Sequence, residues 1–140
     1  MRREDIIQRA EQLLNQHGFK AAVNRLSPDH CFDIVARGGS RSVIIKAVRD
    51  LSELPGEQIE ELNAVSYWAS ATPLLVAERM GDEELDEDAV YVRNGVYAVS
   101  IEALERSLSG DPPLVEVSST GCFVYVDGEA LRRRREELGL

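Results

Sequence analysis

The 140 residues include 25 acidic and 16 basic side chains, giving a formal net charge of −9, and 44% of them are hydrophobic. This is the length of one domain of about 100–150 residues with its own core, and the composition excludes a disordered or fibrous chain. The excess of acid excludes a large phosphate-binding surface on the main body, because such surfaces need clustered Lys and Arg.

The hydropathy pattern indicates neither export nor a membrane. Apolar runs are far too short to cross a bilayer, and the first five residues, MRRED, lack the apolar stretch of a secretory signal. We therefore expect a cytoplasmic protein. Cys31 and Cys122 are far apart and form no CxxC pair, which favours free, buried thiols over a metal site.

The first half of the chain predicts a helix, a three-stranded meander and a second helix. The first helix has one apolar face and ends before Gly18, a glycine in the position of a C-cap. The predicted ranges are Glu4 to His17 for this helix, then strands over Phe19 to Leu26, Cys31 to Arg37 and Ser42 to Val48. A helix start at Ser52 to Pro55 leads into the second helix, Gln58 to Ala71. Its apolar stripe, which includes Tyr67 and Trp68, is expected to cover one face of the sheet.

The second half begins with a predicted β-α-β crossover. Thr72-Pro73 should break the helix, and the apolar run Leu74 to Ala77 is typical of a buried parallel strand. After a polar loop, 81 to 88, two short strands flank the Asn94-Gly95 turn. The remaining predicted elements are strands Val90 to Val92 and Val96 to Val99, a helix Ile101 to Leu108 capped by Ser100, strands Leu114 to Val117 and Cys122 to Val126, and a helix from Glu129.

The order helix, three-strand meander, helix and strand resembles the core of the PD-(D/E)xK nuclease superfamily, which includes restriction enzymes and Holliday-junction resolvases. This resemblance implies an α/β fold with a restriction-endonuclease-like three-layer core, in which helices flank a mixed β-sheet. In active members an Asp on the second strand and a Glu-x-Lys on the third bind a divalent metal together. Asp33 and Lys46 match the Asp and the Lys.

The second acid of that motif is absent, because Ile44 stands two positions before Lys46. Hard cations need several oxygen ligands, and Asp33 alone supplies few. Glu11 on the first helix could substitute, as a helix glutamate does in some superfamily members. We therefore predict no catalytic residue, metal or cofactor, with Asp33, Lys46 and Glu11 as vestigial candidates. A strand-end Asp and a Lys extended along apolar surface explain the pair without chemistry.

The end of the chain, DGEALRRRREELGL, resembles the first helix of a lambda-repressor-type helix-turn-helix domain. Leu131 and Leu138 would share one helix face, and the basic run would lie toward solvent or phosphate. This implies a regulatory α/β domain over residues 1–128 and the start of a truncated helix-turn-helix domain over 129–140. The candidate DNA-binding residues are Arg132, Arg133, Arg134 and Arg135. The alternative is an exposed terminal helix with internal charge pairs.

The whole chain resembles the N-terminal region of archaeal helix-turn-helix regulators, through stretches such as EQLLNQHGFKAAV, CFDIVAR, TPLLVAERM and YVRNGVYAVS. This implies a transcriptional regulator that reaches DNA through a C-terminal domain beyond residue 140. Because the second acid is missing and repressor-type domains read paired half-sites, we expect residues 1–128 to be a catalytically inactive regulatory domain that dimerises. One rival interpretation is a metal-dependent nuclease or resolvase-like enzyme. Another is a small-molecule sensor with Tyr67, Trp68 and Tyr97 as pocket walls, although core packing also accounts for these aromatics.

Overall fold

A computed structural model describes residues 2–24 and 31–110, and the backbone of 115–117 and 123–125. Its helices are α1 (Arg3–Gln16), α2 (Gly56–Trp68) and α3 (Ile101–Leu108), with a 3-10 turn at Leu51–Glu53. Its strands are β1 (Lys20–Val23), β2 (Ile34–Gly38), β3 (Arg41–Asp50), β4 (Thr72–Met80), β5 (Glu83–Glu84), β6 (Ala89–Arg93), β7 (Val96–Val99), β8 (Val115–Val117) and β9 (Phe123–Tyr125). Among the described helices, none has both the length and the apolar content to cross a bilayer.

Helix α1 forms where the apolar spacing predicts it. Its buried residues recur at helical intervals along one face and are Ile6, Ala10, Leu13 and Leu14. The helix ends at Gly18, whose φ of 86° suits glycine and lets the Phe19 N–H donate to the Leu14 carbonyl at 2.9 Å. This C-terminal motif turns the chain directly into β1, so the predicted boundary is confirmed to within one residue.

The strands form one mixed sheet in the order β1-β2-β3-β4-β7-β6-β8-β9, with β5 paired to β4. β1 to β3 make an antiparallel meander. Helix α2 then crosses over to β4, which lies parallel to β3, so the predicted β-α-β unit is confirmed. β7 adds a second parallel neighbour to β4, and β6, paired antiparallel to β7, carries the sheet on to β8.

Several boundaries differ from the prediction by a few residues, and the short strand β5 lies within the predicted polar loop 81 to 88. Two of the differences have a local cause. Thr72-Pro73 does not lie in a break but begins β4, because the left-handed residue Ser70, with a φ of 54°, has already ended the helix. The sequence predicted the start of α2 at Ser52 to Pro55, but a 3-10 turn lies at Leu51–Glu53 instead. The Ser52 N–H donates to the Asp50 side chain, which caps this turn. The predicted ends of β1 and of the final strands fall partly outside the described residues.

The sheet separates two apolar cores, which gives the predicted three-layer α/β architecture. One core lies against α1 and α3 and is made of residues such as Leu14, Ile45, Leu74, Val99 and Leu104. The other lies against α2 and contains Ile44, Ile59, Leu62, Leu75 and Ala98. Because successive strand residues face opposite sides, neighbours such as Ile44 and Ile45 contribute to different cores.

The prediction that Tyr67 and Trp68 belong to the buried stripe of α2 was wrong. Their exposed fractions are 79% and 83%. The buried face of α2 consists of Ile59, Leu62 and Ser66, and the two residues after Ser66 turn away from it by about 100° each on a helix with 3.6 residues per turn. Tyr97, in contrast, is 9% exposed and packs in the core of α1 and α3, which agrees with the core-packing interpretation.

Candidate functional site

The structure brings Asp33 and Lys46 together, as their predicted positions on adjacent strands require. Asp33 directly precedes β2, and its N–H donates to the Ile45 carbonyl of β3 at 2.7 Å. Continuing the β2–β3 register beyond the Ile34–Ile45 pair sets Asp33 opposite Lys46. Both side chains are buried, at 3% and 5% exposure. The pair therefore occupies the positions for which the resemblance to PD-(D/E)xK nucleases predicts a metal site.

Both oxygens of the Asp33 carboxylate are engaged by groups of the protein itself. Oδ2 accepts a hydrogen bond of 2.7 Å from the Ala47 N–H. Oδ1 pairs with the Arg3 guanidinium, whose Nε also donates to the Ala47 carbonyl at 3.1 Å. Arg3 thus binds an acid before β2 and a backbone group of β3 at once. The positive charge of the Arg3 guanidinium lies beside the carboxylate that would attract a metal ion.

Sequence reasoning missed Arg3, although a signal was available. Arg3 is the first residue of α1, and the helix macrodipole disfavours a cation there. A basic residue in that position indicates a partner elsewhere in the fold. The partner is Asp33, 30 positions along the chain.

The residue at the second acid position, Ile44, is 3% exposed and packs in the core beneath α2. An acidic side chain there would lie among apolar residues such as Leu62 and Leu75, at a high desolvation cost. Within residues 2–24 and 31–110, no three His, Cys, Asp or Glu side chains are grouped closely enough to hold a metal ion. The described surroundings of Asp33 therefore lack the oxygen ligands that a hard cation requires.

Burial is the main cause that lowers the pKa of Lys46 from its usual 10.5, because the charged ammonium loses its water. The negative charge of Asp33 raises the pKa of Lys46 and so opposes the effect of burial, whereas the positive charge of the nearby Arg3 lowers this pKa further. Cys31, a free half-buried thiol, has its pKa raised by burial and by Glu61. The site is therefore a partly desolvated group of charges with a buried lysine.

Of the other predicted site residues, only Glu11 lies within the described part of the chain. Glu11 is half-buried on α1, and it follows Arg3 by eight positions, about 12 Å along the helix axis. The beginning of α1, not its middle, contacts Asp33. The predicted DNA-binding residues lie outside the described residues, as do Cys122 and the helix expected from Glu129. They are Arg132, Arg133, Arg134 and Arg135.

Residues 3–113 match the family model described as the PD-(D/E)XK superfamily domain. The chain belongs to the PD-(D/E)XK superfamily. The predicted resemblance and the nuclease-like α/β fold are thereby confirmed. In this chain Ile44 occupies the position of the motif's second acid. One solved structure, that of Hjc, a Holliday junction resolvase from Archaeoglobus fulgidus, aligns with 58% of this chain and 71% of its own, at 22% identity and a TM-score of 0.44.

Longer archaeal proteins with the name "Putative HTH-type transcriptional regulatory protein" share this PD-(D/E)XK sequence. The relative from Pyrococcus furiosus is 38% identical over 99% of this chain and 44% of its own length. The relative from Methanococcus maripaludis is 37% identical over 77% of this chain and 33% of its own length. The relative from Thermoplasma volcanium is 32% identical over 99% of this chain and 45% of its own length. The matched regions are the N-terminal parts of such regulators. The chain spans between a third and a half of their length.

Replacing Arg3 by Met should destabilise the fold by about 1–3 kcal/mol, since it leaves a buried carboxylate oxygen without its charged partner. The measurement is urea unfolding followed by circular dichroism. Arg2→Met, at the exposed neighbouring position, is the matched control and should stay within about 0.5 kcal/mol of the parent. In a double-mutant cycle with Asp33→Asn, strictly additive effects would contradict a coupling between Arg3 and Asp33.

Lys46→Met should change how stability depends on pH. In the parent, the folded-state pKa of Lys46 lies below 10.5, so between these two values the unfolded chain binds more protons and raising the pH stabilises the fold. The free energy of unfolding of the parent relative to Lys46→Met should therefore rise across this window and level off above pH 10.5. The chain has one other lysine, exposed Lys20, and Lys20→Met is the control. Parallel pH profiles for parent and Lys46→Met would contradict the assignment.

Proposed function

We propose that this domain is the regulatory and dimerising part of a DNA-binding transcriptional regulator, built on a nuclease fold that does not cleave DNA. The observation that carries this proposal is the double engagement of the Asp33 carboxylate by Arg3 and the Ala47 N–H. The fold of the superfamily is present, but the charge that would attract a metal is neutralised within the protein. Fold alone does not establish activity; the site decides it.

The loss of nuclease chemistry follows from charge and coordination. A metal ion at Asp33 would have to displace the Arg3 guanidinium, and it would then find the apolar Ile44 where a second carboxylate is needed. Lys46 remains, but in this chemistry a lysine assists a water that the metal holds and polarises. Without that metal the lysine has no attacking water to position.

Contact with DNA is proposed to come from another part of the protein. The relatives are two to three times as long as this chain and are named as HTH-type transcriptional regulatory proteins. We propose that residues 129–140, with the basic run 132–135, begin such a helix-turn-helix domain, and that residues 1–128 form the regulatory domain. The chain as a whole has a net charge of −9, and its acidic body would repel phosphates and limit DNA contact to that basic part. The cytoplasm, where an archaeal chromosome lies, is the proposed location.

A homodimer is proposed because repressor-type domains read paired half-sites about one helical turn, or about 34–36 Å, apart. The described surface offers a contact for it at the end of α2. Tyr67 and Trp68 lie there edge to face, with ring centroids 6.0 Å apart and an interplanar angle of 82°. Exposed aromatic side chains of this size are enriched at protein interfaces and act as anchors when buried by a partner.

The absence of nuclease activity predicts that the purified chain leaves linear duplex and four-way-junction DNA intact with either Mg²⁺ or Mn²⁺, because Asp33 is not available to either metal. The measurement is gel electrophoresis of end-labelled DNA after incubation for hours with an excess of the protein over DNA. Asp33→Asn, prepared in parallel, identifies any contaminating nuclease. Metal-dependent cleavage that the parent shows and Asp33→Asn lacks would establish the rival enzyme function.

The dimer contact predicts that Trp68→Ala or Tyr67→Ala raises the dimer dissociation constant at least about tenfold, the effect of losing about 1.4 kcal/mol of binding energy. Sedimentation equilibrium measures this, with Val35→Ala, exposed on β2, as the control. The folded monomer should keep its far-ultraviolet circular dichroism, because both aromatic side chains are exposed. A monomeric parent, or a dimer that neither variant weakens, would contradict the proposal.

A further inference from the structure

A cavity of about 250 Å³ lies between the C-terminal ends of α1 and α3 and the sheet. Its floor is apolar and is formed by side chains at most 5% exposed: Leu14, Val43, Ile45, Leu74, Val99 and Leu104. Arg3 and His17 mark the two ends of α1, which are about 21 Å apart for a helix of this length. The cavity therefore lies at the end of α1 remote from Asp33, and the vestigial nuclease site does not include it.

The rim of this cavity carries positive charge. Arg41, the first residue of β3, lines it and is exposed to solvent. Within the part of the chain that the structure describes, the Arg41 side chain takes part in no ion pair or hydrogen bond. No carboxylate is among the described residues that line the cavity. In a chain with a net charge of −9, a cavity with a cation and no acid at its rim favours an anionic ligand.

His17 supplies a second polar group at the same rim. Its Nδ1 lies 2.8 Å from the Leu13 carbonyl oxygen, so Nδ1 carries the hydrogen and donates it. Nε2 is 3.3 Å from the exposed Ser109 Oγ. The Leu13 hydrogen bond fixes the ring at the end of α1, and His17, like Arg41, lines the cavity. The cavity thus has an apolar floor and two nitrogen-bearing side chains at its rim.

From this arrangement we propose that the cavity binds a small amphiphilic carboxylate, with its ring or branched hydrocarbon on the apolar floor and its carboxylate paired with Arg41. The volume exceeds the ~150 Å³ of an engineered apolar cavity that holds benzene, so a single ring with a short acid side chain fits. Arginine binds a carboxylate through two parallel N–H donors. The binding proposal is independent of the proposed transcriptional function; only a regulatory consequence of binding would rest on it.

Isothermal titration calorimetry with phenylacetate and with phenylacetamide tests the proposal. The two probes share the ring, and only the first is charged, so pairing with Arg41 should make phenylacetate bind at least about tenfold more tightly, a difference of about 1.4 kcal/mol. Methyl-selective NMR locates the site, and shifts should be largest for Val43, Leu74 and Leu104. Failure of phenylacetate to bind at 10 mM would overturn the proposal. The same result is expected if another segment of the chain or a second copy of it fills the cavity.

Two variants separate the charge from the apolar floor. Arg41→Gln should lower phenylacetate affinity to that of the amide and leave the amide unchanged, whereas Arg37→Gln, at an exposed arginine of β2, should change neither. Leu108→Phe adds volume at the half-buried rim and should weaken both probes. Binding that Arg41→Gln does not alter, or shifts centred elsewhere, would refute the assigned site. None of these outcomes bears on the cleavage or dimer experiments, so the two proposals fail separately.

Discussion

The ion pair between Arg3 and Asp33 is the interaction on which the candidate site depends. It joins the beginning of α1 to the residue before β2, and through the Ala47 carbonyl to β3. A cation at a helix N-terminus is disfavoured by the macrodipole, and pairing with a buried carboxylate offsets that cost. The same contact neutralises the carboxylate that would otherwise attract a divalent cation. One interaction therefore links α1 to the sheet and engages the carboxylate on which a metal site would depend.

The PD-(D/E)XK architecture survives this change because its stability comes from the two apolar cores on either face of the sheet. Burial of apolar surface is the dominant favourable term in folding, and it does not require the metal-binding acids. Ile44 illustrates the point: at the position of the second acid it adds apolar surface to the core under α2. The fold is therefore stable without a carboxylate at this position.

Besides the Asp33 site, two features of the described residues are suited to binding, one on the surface and one at the far end of α1. The aromatic pair Tyr67 and Trp68 exposes apolar area that water solvates poorly. The cavity near Arg41 combines an apolar floor with an unpaired cation among the described residues. Both are suited to binding and neither to bond cleavage, which agrees with relatives described as regulators.

Much of the fold and the pairing of Asp33 with Lys46 could be predicted from local patterns. The spacing of apolar residues and Gly18 defined α1, the run Leu74 to Ala77 indicated the parallel strand, and the triplet Ile44 to Lys46 showed the missing acid. These features could be predicted because helix and strand periodicity are properties of neighbouring residues. The partner of Arg3, the exposure of Trp68 and the cavity between α1 and α3 were decided by the tertiary structure alone. Each depends on groups far apart in sequence, or on which face of a helix meets the sheet, and short-range periodicity specifies neither.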